Sequence, residues 1–235
     1  MLPLNVVMLG PPGAGKGTQA QRFARARGIP RVSTGDILRE AVHNGSEMGR
    51  RVQATMERGD LVGDDIMTGI VRERPQQPDA QRGFVLDGFP RTVAQAVALD
   101  ALIDGRGPLI VVEIVVPEAE IVGRLGTRMI CADCGANAGT FAQAAGQASV
   151  HADPQRCRQC GGRLVQRADD SGTVVLDRLK VYHQQTEPLV DYYRHRPTFR
   201  SVNGAQAADQ VAAELAAAID GAHGPAMAAA GGVRR

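Results

Sequence analysis

The sequence predicts an α/β fold in which a parallel sheet carries helices on both faces. Two observations point to it. First, an apolar run, Asn5-Val6-Val7-Met8-Leu9, leads into a glycine-rich stretch, Gly10 to Thr18, and then into a helical pattern that ends near Gly28. Second, further apolar runs at Phe84-Val85-Leu86, Leu109 to Val116 and Phe199 to Val202 are separated by helical patterns at 92–103, 117–128, 174–195 and 207–219. Runs that are apolar end to end, rather than alternating, mark strands covered on both faces.

A chain of 235 residues is one large domain, or one core with inserted lobes. Apolar content of 43% and charged content of 22% exclude wholesale disorder. A net charge of +2 gives no electrostatic ground for a nucleic-acid or membrane partner. The N-terminus has neither the basic start nor the long apolar core of a signal peptide, and no stretch approaches the ~20 apolar residues of a spanning helix. The expectation is a cytoplasmic protein, with a monomer as the default state. In that reducing setting four cysteines are free, catalytic or metal-bound rather than disulfide-bonded.

Two regions interrupt the alternation. Residues 33–74 are helical in pattern throughout, with no strand between. Residues 127–170 hold all four cysteines and a low-complexity stretch, AGTFAQAAGQASVHAD. The organisation expected is therefore a core of 1–32, 63–126 and 171–220, a helical lobe at 33–62, a cysteine-bearing lid at 127–170, and a disordered Ala/Gly-rich tail at 221–235.

Gly10-Pro11-Pro12-Gly13-Ala14-Gly15-Lys16 fits the phosphate-loop pattern G-x4-G-K, which makes the core a P-loop NTPase-type sheet. Its glycines let consecutive amides face phosphate oxygens, the following helix adds its positive end, and Lys16 reaches the β- and γ-phosphates. Gly13, Ala14, Gly15, Lys16, Gly17 and Thr18 are the candidate triphosphate cradle. The Ser/Thr that normally follows the lysine and holds Mg2+ is replaced by Gly17, with Thr18 next. Lys16 is one of only two lysines among 27 basic residues; the other is Lys180. Asp87 closes the run Phe84-Val85-Leu86 and stands where a strand-end carboxylate holds Mg2+ through water. The plainer reading is an Asp-Gly turn.

Arg124 and Arg128 are four apart on one helical face, and Arg167 precedes Asp169-Asp170. Planar, permanently charged guanidinium groups suit the charge that spreads over a transferring phosphoryl group. Each arginine can also be an ordinary surface residue in so arginine-rich a chain. Cys131-x2-Cys134 and Cys157-x2-Cys160 have the spacing of a four-thiolate structural Zn2+ site, with glycines after each second cysteine. A redox pair or two disulfides are the alternatives, and His151 is a weaker candidate ligand.

GPPGAGKGTQA (10–20), STGDILR (33–39), LDGFPRT (86–92) with Gln95, and QRADD (166–170) occur in the order and spacing of the adenylate kinases. The chain resembles that family from about residue 5 to 220. The resemblance implies transfer of the terminal phosphoryl group of Mg-ATP to AMP, giving two ADP. It places Thr34, Arg39, the segment Asp60-Leu61-Val62, Gly88, Phe89, Pro90, Arg91 and Gln95 on AMP. It places Arg91, Arg124, Arg128, Arg167 and Arg178 around the phosphates, with Arg128 toward ATP and Arg167 and Arg178 toward AMP. It puts Gln206, in SVNGAQ, beside the ATP adenine, and a zinc site in the lid. The family's aromatic-His pair after the first cysteine knuckle is absent; Phe141 stands in the alanine-rich insertion instead. Two other readings stay open: another monophosphate acceptor (CMP, UMP, GMP) or GTP as donor, and a zinc-ribbon nucleic-acid binder. An aromatic content of 3% disfavours the last.

Overall fold

The computed structural model describes residues 2–138 and 155–231. Phe141, His151 and the alanine-rich insertion lie outside the described residues.

The chain runs β1 (Leu4–Leu9), α1 (Lys16–Arg27), β2 (Arg31–Ser33), α2 (Thr34–His43), α3 (Glu47–Glu57), α4 (Asp64–Glu73), β3 (Gly83–Asp87), α5 (Val93–Ile103), β4 (Leu109–Val115) and α6 (Glu118–Gly126). It continues through β5 (Met129–Cys131), β6 (Leu164–Gln166), α7 (Gly172–Val181), one π-helical turn (Tyr182–Thr186), α8 (Pro188–Tyr193), β7 (Phe199–Asn203) and α9 (Ala208–Gly231). β1, β2, β3, β4 and β7 form a parallel sheet in the order β2-β3-β1-β4-β7. β5 and β6 form a separate antiparallel pair.

Period-two alternation sorts each strand's side chains into two cores. Val6 and Met8 of β1, Val85 of β3, and Ile110, Val112 and Ile114 of β4 pack with α1, α6, α7 and α9 through Phe23, Ile121, Leu125, Leu179 and Leu215. Val7, Leu9, Phe84, Leu86 and Val111 face the other way, onto Leu38, Met67, Leu99, Leu189 and Tyr193. Covering on both sides is why these strands read as unbroken apolar runs.

Two expectations are corrected here. β2 had no counterpart in the sequence reading, because three residues are too few to show a pattern. The disordered tail expected from residue 221 is not observed up to Gly231: α9 continues that far, and its alanines are strong helix formers. No helix among the described residues is long and apolar enough to cross a membrane.

The topology locates the site. β1 leads away to β2, β3 returns between β2 and β1, and the chain then crosses β1 to reach β4. The crevice beyond the carboxyl ends of β1 and β3 lies at this switch, where open α/β sheets bind ligands. Gly10 leaves β1 with φ +132°, so close to β4 that a Cβ would lie 2.5 Å from the Ile114 carbonyl oxygen. Gly15 caps α1 at φ +91°, in the left-handed region. Beneath the loop, fully buried Leu125 packs its Cγ 2.9 Å from where a Cβ on Gly13 would stand. Leu125→Ala is expected to cost about 3 kcal/mol of stability through the cavity it leaves. In urea melts the midpoint should fall with an unchanged m-value.

Candidate functional site

A cavity of about 1720 Å³ opens at this switch, large enough for two ligands. Its lining includes Gly13, Ala14, Gly15, Lys16, Gly17, Thr18 and Gln206, together with Arg39, Leu61, Gly88, Pro90 and Arg91. Arg124, Arg128, Arg167 and Arg178 line the same cavity, as does Asp87.

Lys16 begins α1, and its ammonium turns back to donate to the carbonyls of Gly10 (2.7 Å) and Pro11 (2.8 Å). Burial, opposed by Asp87 and reinforced by Arg91, Arg178 and Arg128, lowers its pKa to about 7. The arginines are crowded in the same way. Burial, with Arg178 nearby, lowers Arg91 to about 10, and burial with Arg39 and Arg128 lowers Arg167 to about 9.

The protein's own acceptors hold this charge in place. Asp170, with a side chain fully out of solvent, accepts two bonds of 2.6 Å from Arg128 and one of 2.8 Å from Arg178. Asp169 takes both arms of Arg167 at 3.1 Å. Its burial would raise its pKa, but Arg167, Arg178 and Arg128 pull it below the ordinary carboxylate value. Arg124 is tied to Glu120 (2.6 Å) and to the Gly204 carbonyl (2.8 Å), which fixes it between α6 and the end of β7.

Several expected residues lie just behind the wall rather than on it. Thr34 is fully buried, and its hydroxyl donates to the Gly88 carbonyl at 2.9 Å. Gln95, 1% exposed, accepts from the Arg91 amide (2.7 Å) and donates to Asp64 (2.6 Å). Phe89 and Val62 are buried, and Asp60 pairs with Arg58 at 2.9 Å. These residues brace the strand-end turns that do face the cavity.

Three features had no sequence signal. Arg31 bridges Asp87 (2.8 Å) and Asp36 (2.8 Å), while Asp36 also pairs with Arg39. Asp64 holds Gln95. Thr186, in the π-helical turn, donates to the Arg91 carbonyl at 3.0 Å. Each depends on a pairing across the fold that linear spacing does not encode.

Beside the cavity, Cys131, Cys134, Cys157 and Cys160 bring their sulfurs within 4.8 Å of one another. The closest pairs are Cys131–Cys160 at 3.4 Å and Cys134–Cys157 at 3.7 Å. Four thiolates around one Zn2+ at ~2.3 Å stand about 3.8 Å apart, so the set fits that ion. Amides donate to the knuckles: the Cys134 N–H, with the Asp133 amide, outweighs the opposing effect of burial and lowers the Cys131 thiol to about 7. Cys160 receives the Gly162 amide but is pushed up to about 12 by the Cys134 and Cys131 thiols. Four such groups become anions together only around a cation.

The family model for adenylate kinase matches residues 8–198. The chain is 46% identical over 222 residues to an adenylate kinase of Archaeoglobus fulgidus, spanning 92% of this chain and 98% of the relative. It is 44% identical over 218 residues to one of Moorella thermoacetica, with coverage of 92% and 98%. A third, from Magnetococcus marinus, is 43% identical over 218 residues, covering 92% of this chain and all of the relative. With a phosphate loop, an arginine-lined cavity and a length match of this order, the chain belongs to the adenylate kinase family.

Proposed function

We propose that the protein transfers the terminal phosphoryl group of ATP to AMP, reversibly, giving two ADP. The observation that carries the reading is the convergence of Lys16, Arg91, Arg128, Arg167 and Arg178 on one cavity wide enough for a donor and an acceptor nucleotide. The loop Gly13–Thr18 takes the triphosphate, with Gln206 beside the donor base. Helices α2 and α3, with Leu61, Gly88 and Arg91, form the AMP side. Arg39 leaves Asp36 for the AMP phosphate. Gln95, already gripping the Arg91 amide, sets the adenine edge. The β5–β6 pair with its cysteines is the lid.

An oxygen of the AMP phosphate attacks the γ-phosphorus, and the bond to the β,γ-bridging oxygen breaks, leaving ADP. The acceptor is already ionised, so no general base is needed. Lys16 and the arginines offset charge on the equatorial oxygens. Asp169 and Asp170 hold the arginines and do not move protons. The donor chemistry beside the loop suits Mg2+: the Asp87 carboxylate stands next to Gly17, where it is paired with Arg31 at 2.8 Å. Asp87 would hold the ion, which supplies charge neutralisation and alignment of the β- and γ-oxygens. Zn2+ on the four cysteines would close a small lid that has little apolar core of its own. This reaction accounts for ATP, AMP and ADP as partners. CMP, UMP or GMP as acceptor, and GTP as donor, are separated from this reading by assaying each against AMP and ATP for diphosphate formation.

Lys16→Met should lower turnover roughly 100-fold or more while circular dichroism and melting temperature stay close to the parent, since the ammonium stabilises charge that develops in transfer. The low pKa of Lys16 also sets a proton count. Its value of about 7 leaves it largely neutral at pH 8, and the triphosphate raises it again. ATP binding at pH 8 should therefore take up protons, read by calorimetry in buffers of different ionisation enthalpy, and Lys16→Met should abolish the uptake. Metal analysis should find one zinc per chain. Cys131→Ser or prolonged chelation should remove it and lower the melting temperature by several degrees, as loss of a structural metal site requires.

A further inference from the structure

Arg31 belongs to no motif, yet it sits where three parts of the site meet. It opens β2, which pairs in register with β3 so that Ser33 lies opposite Asp87. Its Nη2 lies 2.8 Å from Asp87 Oδ2 and 2.8 Å from Asp36 Oδ2. The same nitrogen would stand 3.2 Å from a Cβ on Gly17. Its Nε is buried and has no hydrogen-bond partner among the described residues. Two carboxylates converging beside a phosphate loop form the kind of arrangement that recruits a hard divalent cation. Here a guanidinium of the chain occupies the point of convergence, and glycine at position 17 makes the room for it.

We propose that Arg31 is a built-in cation that competes with Mg2+ for Asp87, so that the free metal this enzyme requires is set by how readily Arg31 releases that carboxylate. The inference rests on the phosphoryl-transfer reading given above. The exchange is feasible because Arg31 is doubly partnered. When Asp87 turns to the metal, Arg31 keeps Asp36, and no charge is left buried and alone, which would be costly. Asp36 in turn is shared with Arg39. As Arg39 moves to a phosphate, Asp36 becomes free to hold Arg31 more fully. Occupation of the acceptor side thus favours release of Asp87 on the donor side.

The test replaces Arg31 and counts bound metal directly. Mn2+ stands in for Mg2+, because free Mn2+ is measured by electron paramagnetic resonance. In the presence of an ATP analogue with a non-hydrolysable β,γ-bridge, Arg31→Gln should tighten Mn2+ binding roughly fivefold, the scale of a partly exposed ion pair. In turnover assays its half-saturating Mg2+ concentration should fall by a similar factor. Arg31→Lys retains the charge but not the fork, and should shift both quantities in the same direction by a smaller factor. It carries the test if Arg31→Gln fails to fold. Unchanged Mn2+ affinity in a folded variant overturns the proposal. Weaker Mn2+ and nucleotide binding also overturns it, and makes Arg31 a phosphate ligand acting through its unpaired Nε. Failure of the parent protein to form ADP would strike the reaction itself, whereas an active parent with metal affinity indifferent to Arg31 would strike only this inference.

Discussion

Concentrated positive charge is the constraint on which the rest of the structure depends. Lys16, Arg91, Arg128, Arg167 and Arg178 face one cavity, and burial together with mutual repulsion pulls the affinities of Lys16, Arg91, Arg167 and Arg178 for protons below their ordinary values. Such a set holds together only if acceptors stand behind it. The chain provides them at each of these cations: main-chain carbonyls for Lys16, Asp170 for Arg128 and Arg178, Asp169 for Arg167, the Gly88 carbonyl at 2.9 Å for Arg91. The acidic residues of the site are thus scaffolding for cations, which explains why none of them needs to act as an acid or a base.

The sheet makes this arrangement possible. Its central strands are fully covered, so their carboxyl ends are held rigidly, and the cations are delivered by the turns that leave those ends. Loop, Asp87 and Arg91 all follow directly from β1 and β3. The remaining arginines come from the turn after α6 (Arg128), the segment after β6 (Arg167) and α7 (Arg178); α6 and α7 pack on the α1 face of the sheet through Leu125, Val175 and Leu179. The placement of the cations around the cavity therefore originates in apolar packing several residues away.

What was legible in the sequence follows from the same division. The long, fully buried strands and the glycine loop announce themselves, because burial on both faces demands continuous apolar runs and phosphate binding demands glycine at fixed spacing. The cysteine spacing also foretold the clustering of the four sulfurs. β2 was invisible because it is a three-residue edge strand whose only apolar residue is Val32. The C-terminal helix was read over 207–219 only; its continuation from 221 was taken for a disordered tail because alanine and glycine appear together there, and composition does not say which prevails. Arg31, Asp64 and Thr186 were missed for a different reason. Each acts through a partner 28 residues or more away in sequence or across a strand pairing, and no local pattern records such a meeting.

The pairing of Asp170 makes its two arginines unequal. Its carboxylate has no solvent exposure, so it must always keep at least one cation. Arg128 holds it through both Nε and Nη2, whereas Arg178 contributes a single nitrogen that also donates to the Asp169 carbonyl. Without Arg178, Asp170 keeps both bonds from Arg128; without Arg128, it keeps one. Arg178 is also the residue against which the turn at Gly59 packs, since a Cβ there would lie 2.6 Å from Arg178 Cγ. The more weakly held guanidinium is therefore the one packed against the turn at Gly59, and the more firmly held one immediately precedes β5 at Met129. Asymmetry in a single buried carboxylate is enough to order these two arginines, without any difference in their intrinsic charge.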